Sequence, residues 1–146
     1  MKFVKRNWNV DRLVDKMEQS MKNAVDGGLK VMQEEAATMR DLARSFAPHL
    51  HGHLEHAIRW RTSRTKKGVE VYVDLNAAAE DDKTVGDYAI RMHEQLSPFG
   101  SGRYRLGPVS RAKDGGRGVV GGKFLDRAIT ARIGVLGRKM AARMRV

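Results

Sequence analysis

A chain of 146 residues carrying 28 Lys and Arg against 17 Asp and Glu, formally +11, has the size of one domain with a single core. The absence of cysteine excludes disulfides, thiolate metal sites and a cysteine nucleophile, and no apolar run approaches the roughly 18 residues that span a bilayer. The charge is one-sided. Residues 99–146 hold 12 bases against two acids, Asp114 and Asp126, while the preceding 98 residues are nearly balanced. Such a field selects polyanions or acidic protein faces as partners. The start, Met1-Lys-Phe-Val-Lys-Arg-Asn-Trp8, lacks the apolar stretch of a secretory signal, so a soluble, cytosolic chain is expected.

The first predicted element is a long amphipathic helix, about Asp11 to Phe46. Val10, Leu13, Val14, Met17, Met21, Val25, Leu29, Met32, Ala36, Met39, Leu42, Ala43 and Phe46 recur at three- and four-residue steps. Asn9 or Asp11 is the candidate N-cap. Gly27-Gly28 predicts a kink or short break, each glycine costing about 1 kcal/mol against alanine. Pro48 pushes the residue before it out of helical geometry and ends the element.

A hairpin follows. Ile58–Arg64 and Val69–Leu75 alternate around the turn Thr65-Lys-Lys-Gly68. Pairing Arg64 with Val69 puts Thr62 opposite Val71, Trp60 opposite Val73 and Ile58 opposite Leu75 on one apolar face. The other face then pairs Arg59 with Asp74 and Ser63 with Glu70. A one-residue slip would turn every apolar group outward.

Residues 77–86 read as a loop with an acidic patch, Glu80-Asp81-Asp82. Residues 88–96 are apolar enough for burial, but of ambiguous period. Residues 97–122 hold eight of the fifteen glycines and read as a long flexible loop, a length that in a compact domain is functional or disordered. The last element, Lys123 to about Arg145, is helical. Its stripe is Phe124, Leu125, Ala128, Ile129, Ile133, Leu136 and Met140, and Arg127, Arg132, Arg138, Lys139, Arg143 and Arg145 occupy much of the rest. The class expected is α+β: long N-terminal and C-terminal helices packed on a small antiparallel sheet, in one domain over residues 1–146.

Chemistry-bearing patterns are weak. His49, His51, His53 and His56 cluster beside Glu55, and imidazole is a common neutral metal ligand. Nothing matches His-Glu-x-x-His, however, and a polar connector accounts for the spacing equally well. A metalloenzyme with Glu55 or Glu94 as base is the minor alternative. Gly118-Val-Val-Gly121-Gly122-Lys123 lacks the spacing and the following Ser or Thr of a phosphate loop. Gly100-Ser-Gly102 lacks the strand-to-helix turn of a dinucleotide site. No cofactor, metal or catalytic residue is assigned, and a non-enzymatic protein is expected. The basic helix has few aromatic anchors for a membrane surface and suits phosphates or an acidic protein face.

Taken in order, the landmarks resemble a family. Ala47-Pro48 closes the long helix, Gly52-His-Leu54 and Ile58 follow, then the hairpin, Tyr88-Ala89 with His93-Glu94, a variable loop, and Phe124-Leu125-Asp-Arg-Ala128 opening the last helix. This order resembles the head–tail joining proteins of tailed bacteriophages, the minor tail, neck or tail-completion components, over about Ala36 to Arg132. The chain departs from the pattern after Glu94, where Gln95-Leu-Ser-Pro replaces Gly-Thr, and before Phe124, where Lys123 replaces proline. The resemblance implies a structural role for Pro48, Gly52, Leu54, Ile58, Tyr88, Glu94, Phe124, Leu125 and Ala128. It also implies a homo-oligomeric ring at the head–tail junction of the virion, assembled in the host cytoplasm between connector and tail tube, through which DNA passes. Candidate contacts for neighbouring subunits or DNA are Arg127, Arg132, Arg138, Lys139, Arg143 and Arg145, with Glu80, Asp81 and Asp82 as acidic counterparts. The alternative is a small basic nucleic-acid-binding module.

Overall fold

The computed structural model describes the backbone of residues 4–49, 52–65, 68–75 and 83–144, and the side chains of residues 12–49, 52–63, 72 and 87–144. The elements are α1 (Val4–Phe46), α2 (His53–Ala57), β1 (Ile58–Thr65), β2 (Gly68–Leu75), α3 (Lys83–Gln95), α4 (Pro108–Asp114) and α5 (Phe124–Arg143). The α+β class holds, with helices dominating and a two-stranded sheet.

Helix α1 differs from the expectation at its start and middle. It begins at Val4, so Asn9 and Asp11 lie inside it and not at its start. No glycine or proline precedes them, and a nucleated helix propagates until something stops it. It also runs unbroken through Gly27-Gly28. A β-carbon at Gly27 would lie 3.2 Å from the Arg143 side chain, and one at Gly28 would lie 3.4 Å from the Met140 methyl. The glycines are therefore where α5 comes close to α1, and the packing offsets their poor helix propensity.

The hairpin has the expected register throughout, from Ile58 opposite Leu75 to Arg64 opposite Val69, with Thr65 opposite Gly68 added. Along β1 the apolar face sinks toward the body of the protein, with Ile58 buried, Trp60 half-buried and Thr62 exposed. Arg44 of α1 fastens this buried end, its guanidinium donating twice to the Ile58 carbonyl at 2.8 and 3.1 Å.

Residues 83–95 form α3, which corrects the reading of 83–86 as loop and resolves the ambiguous segment after it. Tyr88, Ala89 and Met92 line its inner side. The core joins α1, α2, β1, α3 and α5 through Ala43, Ala47, Leu54, Ile58, Ala89, Phe124 and Ala128. Four of these seven are alanine, so the helices approach closely around the one aromatic side chain among them, Phe124.

The glycine-rich segment 97–122 is threaded into the body. It carries α4, and Ser110, Asp114, Val120, Gly121 and Gly122 are all buried. The Asp114 carboxylate accepts three backbone amides, from Gly118 (2.7 Å), Val119 (2.7 Å) and Val120 (2.8 Å). Those hydrogen bonds, Val120's and Gly118's foremost, hold its carboxyl below the ordinary aspartate value. The amide concavity that a phosphate loop offers to an anion is here filled by the chain's own carboxylate.

Two glycines of this segment are fixed by contact with other backbone. A β-carbon at Gly121 would sit 2.5 Å from the Pro98 carbonyl, and one at Gly122 would sit 2.5 Å from the Leu96 carbonyl and 2.8 Å from the Gly100 nitrogen. Backbone cannot yield as a flexible side chain does. Gly122→Ala is therefore expected to destabilise the fold by about 2 kcal/mol or more, in the range of overpacked cores, as read by chemical denaturation.

Candidate functional site

The basic end is less free than its composition suggests. Glu35, on α1, is 1% exposed and faces α5. Arg132 meets it with two hydrogen bonds, Nε to Oε2 at 2.9 Å and a terminal nitrogen to Oε1 at 2.8 Å. Lys139, two turns further along α5, donates to the same carboxylate. Burial alone would raise the Glu35 pKa, but the hydrogen bonds from Lys139 and Arg132 and their charges outweigh it and leave it lowered.

Arg127 is also committed inward. Its guanidinium lies 3.5 Å from the ring centre of Phe99 and 4.5 Å from that of Phe46. It donates to the carbonyls of Val119 at 2.7 Å and Gly122 at 3.2 Å. Burial pulls its pKa below the ordinary arginine value. Arg138 and Arg143 are exposed, though the stem of Arg143 rests over Gly27. Arg145 and the acidic patch Glu80, Asp81 and Asp82 lie outside the described residues. Three of the six basic candidates thus hold the subunit together, and two present charge to solvent.

Within the histidine cluster, His49 and His56 both lie beside Gly52. His49 Nδ1 lies 2.8 Å from Glu55 Oε2, His53 and His56 are exposed, and His51 is outside the described residues. Among the described residues no three metal-ligating side chains converge. Glu55 instead belongs to a clasp. Lys113 on α4 pairs with it and also donates to the carbonyls of Arg44 (2.6 Å) and Ala47 (2.7 Å) at the end of α1. The neighbouring Phe46 carbonyl receives the Gly121 amide at 2.9 Å. A helix C-terminus leaves carbonyls unpaired and attracts cations, and here the segment expected to be a loose loop supplies both donors. Burial would raise Glu55, but the hydrogen bonds from Lys113 and His49 and their charges hold it lowered.

The motif residues converge. Leu54, Ile58, Phe124 and Ala128 form the centre of the core, with Tyr88 and Leu125 packed against it. Pro48 is buried, and Gly52 takes the left-handed conformation at φ +80 that opens α2. Glu94 stands at the entrance to α5, paired with Lys123 and with His93 Nδ1 at 2.8 Å. The hydrogen bonds from Lys123 and His93 lower its pKa. The His93 ring packs edge-on against Phe124, with centres 4.9 Å apart. These residues all have architectural work. A cleft of about 130 Å³ lies beside them, lined in part by His49, Tyr88, Met92 and Arg105, with His49 paired to Glu55 at its edge.

What the sequence reading missed is where α1 outruns its partner. Helix α5 lies antiparallel along α1. Arg127 covers Phe46, Arg132 and Lys139 reach Glu35, and Met140 and Arg143 lie at Gly28 and Gly27. It ends at Arg143, whereas α1 continues toward Val4. Beyond that end Leu13, Val14, Met17, Met21 and Val25 are 45–67% exposed, on the side of the helix that carries Gly28 and Glu35 further along. The stripe expected to be core is core only from about residue 28 onward. The signal was the difference in predicted lengths, because a helix of about 36 residues cannot be covered by one of about 23. Among the described residues no helix is long and apolar enough to cross a membrane. Comparison of the chain with family models, with curated proteins and with solved structures found no match.

Proposed function

We propose that the chain is a non-enzymatic virion subunit that assembles into a homo-oligomeric ring at the head–tail junction of a tailed bacteriophage, between connector and tail tube, leaving a passage for DNA. The observation that carries this reading is the uncovered stripe of α1. Five large apolar side chains, half or more exposed on average, form a patch of the kind that marks an interaction surface. The ordered landmarks that resemble the head–tail joining family add the class of assembly, and their convergence on one core is consistent with that class.

The test is native mass and electron microscopy of the purified chain, alone and mixed with connector and tail-tube proteins of the same phage. A closed ring that binds one of them is the expected result. A chain that stays monomeric in every mixture overturns the reading.

A second reading, a nucleic-acid-binding module, is favoured by the exposed arginines Arg103, Arg105, Arg111 and Arg138. It requires the monomer to bind duplex DNA with an affinity that falls steeply as salt rises. Charge reversal separates the two uses of the free basic residues. With Arg138→Glu and Arg143→Glu, rings fail to form if these residues meet a neighbour. If they line the passage, rings form and DNA retention changes. Lys139 is unsuitable for this test, because its reversal would place a second acid against Glu35.

A further inference from the structure

We infer that the cleft between α3 and α4 is a docking site for an acidic segment of a partner protein, which inserts one apolar side chain into it and meets Arg105 at its rim. The inference goes beyond the ring reading and does not rest on it, because the cleft belongs to the single subunit. Its lining is mostly apolar, with Tyr88, Met92, Leu96, Pro108 and Val109 beside Arg105. Leu96 is 2% exposed and Val109 47% exposed, so the apolar wall continues from the core to the surface. The walls are fastened before any partner arrives. Ser110 Oγ accepts the His49 amide at 3.0 Å and donates to the His49 carbonyl at 3.1 Å, and Lys113, further along α4, holds the end of α1. A site that needs no ordering keeps more of its contact energy as affinity.

Size and charge favour this occupant. At about 130 Å³ the cleft has room for one benzene-sized group, since a cavity of about 150 Å³ takes benzene. Sites for free small molecules are about 300–1,000 Å³, so such a ligand would leave most of itself outside, whereas a single side chain anchored on a protein backbone has the right size. The bases around the cleft lack acids. From Leu96 to Lys113 the chain has Arg103, Arg105, Arg111 and Lys113 and no acid. Lys113 is paired with Glu55, which also holds His49. Arg103, Arg105 and Arg111 are exposed and have no acidic partner among the described residues. A nucleic acid would satisfy these arginines, but a nucleobase would carry polar edges against an apolar wall and leave them unpaired. An acidic segment with a phenylalanine or leucine uses both the wall and the charge.

The experiment titrates the full chain, with isotope-labelled methionine methyls read by NMR, against three peptides capped at both ends: Asp-Glu-Phe-Glu-Asp, the same peptide with alanine at its centre, and Lys-Lys-Phe-Lys-Lys. The first is expected to move the Met92 resonance and to bind about 10-fold or more tighter than the alanine form, the worth of one buried aromatic side chain. The basic peptide should leave Met92 unmoved. Gly107→Leu puts a side chain at a lining position without strain, because the glycine has φ −69 and ψ 169 and a β-carbon there meets nothing within 4 Å. It should keep the melting temperature and lose about 10-fold in affinity for the first peptide. Arg105→Glu should lose about 5-fold or more at low salt, a difference that shrinks as salt rises. Equal affinity for the phenylalanine and alanine peptides, or equal affinity in wild type and Gly107→Leu, would mean that charge alone holds the peptide and overturns the inference. A Met92 resonance that no peptide moves overturns it as well. Binding of 3-phenylpropionate as tight as that of the peptide would assign the cleft to a free carboxylate instead, and an equal Met92 shift with an eight-nucleotide oligothymidylate would assign it to nucleic acid.

Discussion

Replacing both Arg132 and Lys139 by alanine is expected to cost more than any other surface-reaching change in this protein, about 3–5 kcal/mol, the range for stranding a buried charge. The asymmetry within the triad is the reason. Glu35 is 1% exposed and cannot reach water, whereas the Arg132 and Lys139 side chains are 26% and 48% exposed. Removing the carboxylate frees two cations that can hydrate, so Glu35→Leu is expected to cost far less, about 1–2 kcal/mol, because an apolar group of similar volume replaces a buried ion at little loss. Removing the cations leaves the carboxylate in place with nothing to bind it.

The dependence on pH should reverse sign between the two forms. In the wild type the folded Glu35 pKa lies below its ordinary value of 4.5. Its contribution is thus present above that value and lost as pH falls through the lowered folded pKa. In Arg132→Ala/Lys139→Ala only burial acts, which raises the folded pKa, so protonation relieves the penalty and the variant should gain stability, relative to wild type, as pH falls toward 4. Melting temperatures of both proteins between pH 4 and 8 measure this. A constant difference across that range would mean that Glu35 does not carry the effect.

The part of the fold that sequence made legible is the part specified by local pattern. The hairpin register followed from alternation on two faces at once, and the helical character of α1 and α5 from three- and four-residue spacing. What stayed hidden depends on elements far apart in the chain. Gly27-Gly28 looks like a break until Met140 and Arg143 are known to lie over it. Arg132 and Lys139 look like surplus charge until Glu35, about a hundred residues earlier, is seen to lie between them. Asp114 looks like a stray acid in a flexible basic segment, and in fact binds three amides that give residues 118–120 their shape. The exposed half of the α1 stripe has the same sequence signature as the buried half, because periodicity reports an apolar face and says nothing about whether the covering partner belongs to the same chain. The functional reading draws on that ambiguity, since the residues that looked most ordinary, Met17 and Met21, are among those the fold leaves more than half exposed.

Lys113→Met should lower stability by about 2–4 kcal/mol, combining a lost charge-assisted pair with two unmade hydrogen bonds at a helix end. For a domain of this size that corresponds to a fall in melting temperature on the order of 5–15 °C. The ammonium has three acceptors, the carbonyls of Arg44 and Ala47 and the carboxylate of Glu55, and it is the residue through which α4 holds the end of α1. Methionine keeps the stem and its packing and removes only the charge and the donors, so the measured loss belongs to the clasp. The damage should also be local before it is global. Hydrogen exchange is expected to quicken first at the Gly121 amide, bonded to the Phe46 carbonyl, and at Gly118, Val119 and Val120, bonded to Asp114, while amides in the middle of α1 and α5 stay protected until global unfolding. Lys113→Arg should recover only part of the stability, because a planar fork cannot place one nitrogen among three converging oxygens as an ammonium does. Glu55 supplies an independent check. Its folded pKa lies below the ordinary 4.5, so the clasp contributes above that value and weakens as pH falls through the lowered pKa. The destabilisation caused by Lys113→Met should therefore shrink as pH is taken below 4. A loss that is the same at pH 7 and at pH 3 would assign the role of Lys113 to its carbonyl contacts alone.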